Sequence, residues 1–194
     1  MWCKCKEWAT KHATGRYGQL WLSVLSVSEA IFLPVPTDTF MMGMLLIGEN
    51  RKRWVYFATI TMASSVLGAV IGYFLAFFLF NTFGPSFIEL SGAGVQFKKV
   101  QEFLDHGIFI FTFIGAVSPI PYKLFVLTAG FIKANFFIFL IASIIGRSVR
   151  LYLSAWLVYK YGEQGITIMK RYAVQITIVS VALLIVYVLG YMFL

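Results

Sequence analysis

Two arginines and a lysine lie in stretches of the sequence that are otherwise apolar. Arg147 and Arg150 are the only charged residues between positions 134 and 159. Because they are three residues apart, a helix would place both on one face. The planar guanidinium group holds phosphate oxygens in pairs, and Lys123 adds a third cation. The pattern predicts a site for a lipid phosphate that consists of Lys123, Arg147 and Arg150.

Two carboxylates lie in a second apolar stretch, residues 17–48. Burial favours the neutral form of a carboxyl group, so either Glu29 or Asp38 could carry a proton. Glu29 is the preferred proton carrier, because Asp38 follows Pro36 by two residues and could instead cap a helix. In an alternative interpretation, the arginines pair with Glu29 or Asp38 and hold the fold together. The two interpretations are compatible if an ion pair opens when lipid binds.

A Pro-x-Pro motif interrupts each of the two apolar stretches that position these groups, residues 17–48 and 107–132. The prolines are Pro34 and Pro36 in the first stretch, and Pro119 and Pro121 in the second. Proline removes a backbone donor and disfavours helix at the preceding residue, and freed backbone groups cannot face lipid. The motifs therefore predict two re-entrant helical hairpins, with kinked continuous spans as the alternative. Pro119 and Pro121 are counted with the predicted substrate site.

The composition places the whole chain in a membrane. Of 194 residues, 60% are hydrophobic and 12% charged, whereas soluble domains are about half apolar and about a quarter charged. Residues 54–88 and 172–194 carry no charge and are long enough to span a bilayer, and residues 134–159 form a third candidate span. The net charge of +8 is better explained by anionic lipid and orientation than by nucleic acid.

The two halves of the chain resemble each other. Residues 34–40 align with residues 119–125, and the small-residue stretch 63–73 aligns with 142–152. If each hairpin returns to its own side, the two halves are inverted repeats, as in many transporters. Most basic residues then fall on one side, namely Lys4, Lys6, Lys11, Arg16, Arg51, Lys52, Arg53, Lys160, Lys170 and Arg171, and three fall on the other, namely Lys98, Lys99 and Lys133. This bias predicts a cytoplasmic N-terminus.

The predicted fold is an all-α integral membrane protein with an inverted repeat of a re-entrant hairpin plus a transmembrane helix. The predicted parts are an amphipathic N-terminal segment (1–18), a membrane domain (19–161) with repeats 19–83 and 107–161 joined by an interfacial segment (84–106), and a C-terminal transmembrane helix (162–194). Gly68 and Gly72 are spaced for close helix packing, within the fold or in a homodimer. Cys3 and Cys5 are expected to be reduced thiols.

Several of these motifs resemble one known family. The run from Ser118 to Phe125, the pair Ala129-Gly130 and the run from Ile145 to Arg150, together with the acidic Pro-x-Pro stretch, resemble the DedA family (VTT domain), most closely its YqaA-like branch. The resemblance covers roughly residues 19–161. It implies a bacterial inner-membrane protein with two re-entrant hairpins. Members are linked to moving undecaprenyl phosphate and phosphatidylethanolamine across the bilayer, several with dependence on the proton-motive force.

The resemblance also implies that paired acidic and arginine residues of the hairpins are essential. The better-studied branch often has an arginine where this chain has Ala116, and another where it has Tyr122 and Lys123. The anion-binding set is therefore expected to shift to Lys123, Arg147 and Arg150.

The sequence is thus expected to encode a lipid transporter, or flippase, of the inner membrane that moves a phosphate-bearing lipid and is coupled to protons through Glu29 and Asp38. Its expected partners are membrane lipids with anionic headgroups, and not nucleic acid. We find no metal-ligand cluster, phosphate-cradling glycine loop or nucleophile elbow in the sequence, so neither a cofactor nor an enzymatic activity is expected. The alternatives are a membrane scaffold that maintains the envelope, and an intramembrane enzyme acting on lipid phosphate.

Overall fold

The computed structural model describes residues 16–31, 37–91, 94–118 and 120–192, and the secondary structure of these residues is helical. Its α-helices are α1 (Arg16–Ile31), α2 (Thr37–Leu45), α3 (Trp54–Ser91), α4 (Gly94–Val117), α5 (Tyr122–Phe131), α6 (Phe136–Tyr161) and α7 (Glu163–Met192), and a 3-10 helix, Gly48–Arg53, joins α2 to α3. The predicted amphipathic segment up to residue 15, with Cys3 and Cys5, and the prolines Pro34, Pro36 and Pro119 lie outside the described residues.

Helices α1 and α3 lie side by side and run in the same direction. Gln19 accepts a hydrogen bond from the hydroxyl of Tyr56 (3.2 Å) near the start of both helices. Further along both helices, a Cβ on Gly68 would lie 2.9 Å from the Cβ of Ala30. Since α3 starts beside the start of α1, the chain leaves along α1 and returns along α2 before α3 begins.

The second half of the chain follows the same course. The side chain of Gln101, in α4, donates to the carbonyl of Ile132 (2.9 Å), just before α6. Further along both helices, a Cβ on Gly146 of α6 would lie 2.6 Å from the Cβ of Ala116 of α4. Helices α4 and α6 are therefore parallel, and α5 returns the chain to the level of Gln101.

The two long helices α3 and α6 run in opposite directions. The ring of Trp54, at the start of α3, stacks on Tyr159 near the end of α6 with centroids 5.8 Å apart. At the other end, the ring of Tyr73 stacks on Phe139 near the start of α6 (5.2 Å). These directions are those that the predicted inverted repeat requires. The repeat itself, and the re-entrant placement of the hairpins in a membrane, stay predictions.

Two hydrophobic cores lie towards opposite ends of this α3–α6 pair. One core contains buried residues of α1, α2, the start of α3 and the end of α6. Helix α2 contributes three methionines and one leucine to it. The other contains residues of α4, α5, the later part of α3 and the start of α6. The second arm of each hairpin thus packs against the long helix of the opposite half, α2 on α6 and α5 on α3. The hairpin ends are thereby held between the two cores.

Within the residues that the structure describes, two helical stretches are long and apolar enough to cross a membrane, Asn50–Gly84 and Phe136–Tyr161, and the shorter stretches Gly107–Val117 and Tyr122–Phe131 are also apolar. Large apolar side chains on their outer faces are exposed, up to 73% for Phe137. An exposed apolar surface of this kind suits contact with lipid rather than water. The predicted crossing of the C-terminal helix, here α7, stays a prediction.

In the segment that joins the two halves of the chain, the helices end at residues other than those that the sequence predicted. Helix α3 continues past the predicted end of the first repeat at residue 83, to Ser91, and α4 runs without a break from Gly94 through residue 107. The proline at position 85 does not end α3, since one missing backbone donor leaves the remaining ladder intact and is tolerated in apolar helices. The predicted interfacial segment is therefore continuous with the long helices on both of its sides.

Candidate functional site

The predicted charged residues meet where the turning ends of the two hairpins reach the middle of α6. Arg147 and Arg150 lie near the midpoint of α6. Glu29 is in the last turn of α1, and Asp38 is the second residue of α2, so both lie at the turn of the first hairpin. Tyr122 begins α5, at the turn of the second. Residues far apart in sequence thus form one cluster.

Arg150 connects the two hairpin turns through a close ion pair. Its Nε and Nη2 atoms lie 2.6 Å and 2.5 Å from Oδ2 of Asp38. Its Nη1 atom donates to the backbone carbonyl of Ser118, at the end of α4. The guanidinium group therefore has partners on the first and the second hairpin, and Oδ1 of Asp38 is buried without a hydrogen-bond partner. This pair is well suited to holding the two turns together.

Arg147 also contacts both turns, but more loosely. Its Nη2 atom lies 3.8 Å from Oε2 of Glu29, beyond hydrogen-bonding distance, and its guanidinium carbon lies 5.2 Å from the ring centroid of Tyr122. Only 1% of the Arg147 side chain is exposed, and its Nε atom is buried without a hydrogen-bond partner. The hydroxyl of Thr37 donates to the same Glu29 oxygen. Arg147 thus retains a donor that its protein neighbours do not satisfy.

A chain of hydroxyl groups fixes the aromatic ring beneath Arg147. The Tyr122 hydroxyl donates to Oγ of Ser143 (2.5 Å), which in turn donates to the carbonyl of Phe139 (2.7 Å). Tyr122 and Ser143 are both buried. Ser143 precedes Arg147 by four residues on α6 and therefore shares its face. The ring is positioned by the same helix that carries the arginine.

The four charged groups balance one another, which allows them to be buried. Burying a charge without a partner is costly, whereas a hydrogen-bonded pair of opposite charges offsets much of that cost. The cluster is not sealed, because 22% of the Glu29 side chain and 16% of the Arg150 side chain are exposed. The accessible part of the cluster therefore lies at Glu29 and Arg150, whereas Arg147 is buried behind it. Chemically, the arrangement can exchange a carboxylate partner for a phosphate.

The remaining predicted site residues are Lys123 and the prolines of the two Pro-x-Pro motifs. Lys123 lies one residue after Tyr122 in the first turn of α5 and is half-buried, and Pro121 caps the start of that helix. The ion pairs of Arg147 and Arg150 are with Glu29 and Asp38. Pro119, Pro34 and Pro36 lie outside the described residues, so their predicted roles remain predictions.

Sequence reasoning missed the uncharged members of the site, Thr37, Ser118 and Ser143. The four-residue spacing from Ser143 to Arg147 could have indicated Ser143. Nothing in the sequence indicates that the backbone carbonyl of Ser118 belongs to the site. No group of three or more His, Cys, Asp or Glu side chains suited to a metal ion occurs in the part of the chain that the structure describes.

Comparisons with known proteins support the family resemblance that the sequence motifs indicated. The family profile of the VTT domain matches residues 23–160. An uncharacterised protein of Haemophilus influenzae is 34% identical over 164 residues, which are 84% of this chain and 82% of that protein.

Two further relatives are also described as uncharacterised. One, from Histophilus somni, is 29% identical over 79% of this chain and 78% of its own. The other, from Methanocaldococcus jannaschii, is 25% identical over 69% of this chain and 79% of its own. No solved structure matches the chain significantly. With a family match over most of its length and two apolar helices long enough to span a bilayer, this chain is a membrane protein of the VTT-domain (DedA) family.

Proposed function

We propose that this protein transports a phosphate-bearing lipid, either a polyprenyl phosphate or a phospholipid, across the inner membrane. The headgroup passes between the two hairpin turns and binds Arg147 while the acyl or prenyl tail stays in the bilayer. The observation that carries the proposal is Arg147 itself. It is buried at the middle of a helix long enough to cross the membrane, and its Nε donor has no protein partner.

The depth of the site in a membrane follows from the lengths of the helices. At 1.5 Å per residue, α2 and α5 are about 14 Å and about 15 Å long, roughly half of the ~30 Å hydrocarbon core. In this proposal both hairpins are re-entrant and enter from opposite faces, so that their turns meet at mid-depth. A charge exposed to lipid there would be costly. In this proposal the partly exposed sides of Glu29 and Arg150 therefore face the path of the headgroup rather than lipid.

The contrast between the two ion pairs assigns them different roles. Arg150 holds Asp38 and the Ser118 carbonyl at hydrogen-bonding distance, so it keeps the hairpin turns together. Arg147 lies 3.8 Å from Glu29, and protonation of Glu29 would release it to bind phosphate. This exchange couples lipid binding to a proton. It also assigns Glu29, rather than Asp38, as the proton carrier.

Transport of labelled lipid in proteoliposomes tests the proposal. The wild-type chain is expected to accelerate movement of a fluorescent phosphate-bearing lipid between leaflets, and Glu29→Gln and Arg147→Ala are each expected to abolish that acceleration. Gly43→Ala is a matched control, because a Cβ at this position meets no atom within 4 Å. The proposal fails if both site variants transport lipid at the wild-type rate.

A membrane scaffold without transport is the second candidate, and the tight Arg150–Asp38 pair favours it. Contacts of 2.5 Å and 2.6 Å with a carboxylate are those of a fixed structural link. In a scaffold the cluster only holds the hairpins, so exchanging Glu29 and Arg147 for each other should preserve function in cells. Loss of function in that exchange, with normal protein levels in the membrane, contradicts the scaffold.

A further inference from the structure

The end of the molecule where α3 begins and α6 ends combines cations with aromatic rings. Arg51 and Arg53 lie in the 3-10 helix that precedes α3, and Lys160 lies in the last turn of α6. Nε of Arg51 donates to the carbonyl of Tyr159 (2.8 Å), 108 positions further along the chain. This bond connects the 3-10 helix to the end of α6, so the cations of two distant segments lie on one surface.

Aromatic rings hold two of these cations at the surface. The guanidinium carbon of Arg53 lies 4.8 Å from the ring centroid of Tyr56. The ammonium of Lys160 lies 5.1 Å from the ring of Trp156 and 5.5 Å from that of Tyr161. All five side chains are exposed. We call this surface, consisting of Arg51, Arg53, Tyr56, Trp156, Lys160 and Tyr161, the basic ledge.

The position and chemistry of the basic ledge indicate lipid headgroups as its ligand. Exposed tyrosine and tryptophan rings at the ends of spanning helices suit the headgroup region of a bilayer. Cations held at that depth attract anionic phospholipids. Arg51 is bonded to the end of α6, whereas Arg53 and Lys160 are held at the surface by aromatic rings, and these two cations are positioned to contact a headgroup phosphate.

At the opposite end of the α3–α6 pair, the cation whose surroundings the structure describes is Lys133. Lys133, between α5 and α6, lies 5.7 Å and 5.6 Å from the rings of Phe77 and Phe80. It is the only charged residue of the connection from 132 to 135. Phenylalanine has no polar edge to place among headgroups. Lys133 therefore resembles Lys160 in its local contacts but not in its surroundings, which makes it a matched control.

We propose that the basic ledge binds the phosphate headgroups of anionic phospholipids in the leaflet that faces this end of the protein. The ledge is a surface separate from the buried Arg147 cluster, and its binding does not depend on transport. Bound lipid would contact Arg53 on the 3-10 helix and Lys160 on α6. The ligand is the lipid in its bilayer, rather than soluble phosphate.

Native mass spectrometry of the full-length protein tests this proposal. The protein is purified in micelles that contain equal amounts of phosphatidylglycerol and phosphatidylcholine, and the ratio of the two bound lipids is measured. The wild type is expected to prefer phosphatidylglycerol. Arg53→Gln/Lys160→Gln is expected to lower that preference by about five-fold for each charge removed. Lys133→Gln should leave it unchanged.

Three outcomes would overturn the proposal. The first is a wild-type lipid preference in Arg53→Gln/Lys160→Gln, with an unchanged midpoint of thermal unfolding. The second is an equal loss of preference in Lys133→Gln. The third is displacement of the bound lipid by free glycerol phosphate at concentrations similar to that of the lipid. If the double variant does not fold, the exposed single substitution Lys160→Gln gives the same comparison with Lys133→Gln.

Discussion

At the scale of single residues, the two arginines of α6 have different surroundings although they lie three positions apart. Arg150 makes close contacts with Asp38 and the Ser118 carbonyl, whereas Arg147 has a looser pair with Glu29 and a ring of Tyr122 below it. The resemblance to the better-studied branch predicted an arginine near the second Pro-x-Pro, where this chain has Ala116 and Tyr122. Here Ala116 packs against Gly146, and the ring of Tyr122 lies against Arg147 of α6.

The different surroundings predict different costs of removing each carboxylate. Asp38→Asn leaves the half-buried Arg150 without its counter-charge, and breaking a fully buried pair typically costs about 3–5 kcal/mol, which is the upper limit here. Glu29→Gln should destabilise the fold less, because its pair with Arg147 is longer and its side chain is more exposed. The free energy of unfolding in mixed micelles measures both. An equal or larger cost for Glu29→Gln would contradict the assignment of Arg150 as the structural link.

The hydroxyl chain beneath Arg147 gives a second prediction. Tyr122→Phe removes one hydrogen bond but keeps the ring and leaves Ser143 its carbonyl partner, so it should cost about 1 kcal/mol. Ser143→Ala should cost a similar amount, and the two should not add in a double-mutant cycle. Tyr122→Leu should cost more, because the contact between ring and guanidinium is also lost. Additive effects of Tyr122→Phe and Ser143→Ala would show that the pair is not coupled.

At the scale of elements, three glycine contacts set how closely the helices approach. Gly68 faces Ala30, Gly72 faces Val126 and Gly146 faces Ala116. The Gly68 and Gly72 contacts are made within this chain, with α1 and α5.

Substitution of Gly146 by alanine should separate α4 from α6. Its Cβ would lie 2.6 Å from the Cβ of Ala116 and 3.2 Å from the Phe113 carbonyl oxygen, and overpacking of this kind costs about 1–3 kcal/mol. Gly43→Ala, with nothing within 4 Å, should instead stabilise α2 by roughly 0.5–1 kcal/mol. The free energies of unfolding of the two variants test this. A neutral effect of Gly146→Ala would contradict the close packing.

The sequence predicted the elements better than their ends. An apolar run free of charge indicated α3, and an apolar run interrupted only by two arginines indicated α6, because a helix satisfies its own backbone groups in lipid. Charges in apolar surroundings indicated the cluster, since each needs a partner. The ends of α3 and α4 could not be predicted, because glycine and proline at positions 84 and 85 resemble a loop but lie inside a helix. Which acid pairs with which arginine depends on how the hairpin turns pack, which local sequence does not determine.

At the scale of the whole molecule, the antiparallel α3 and α6 place the basic ledge at one end and Lys133 at the other. The bias of basic residues predicts that the ledge lies on the cytoplasmic side. In a chain with Cys3→Ser and Cys5→Ser, Arg53→Cys is expected to react with a membrane-impermeant maleimide only in inverted vesicles. Lys133→Cys should react in intact spheroplasts. The reverse pattern would invert the proposed topology.

The central claim is that the Arg147–Glu29 pair exchanges its partners for a lipid phosphate. The most direct measurement is the rate at which a labelled phosphate-bearing lipid changes leaflets in proteoliposomes that contain either wild type or the exchanged variant Glu29→Arg/Arg147→Glu. The exchanged variant retains one acid and one base but moves the cation from α6 to α1. We predict that it folds and inserts into the vesicles and transports no lipid above the protein-free rate. Wild-type transport by this variant would contradict the account.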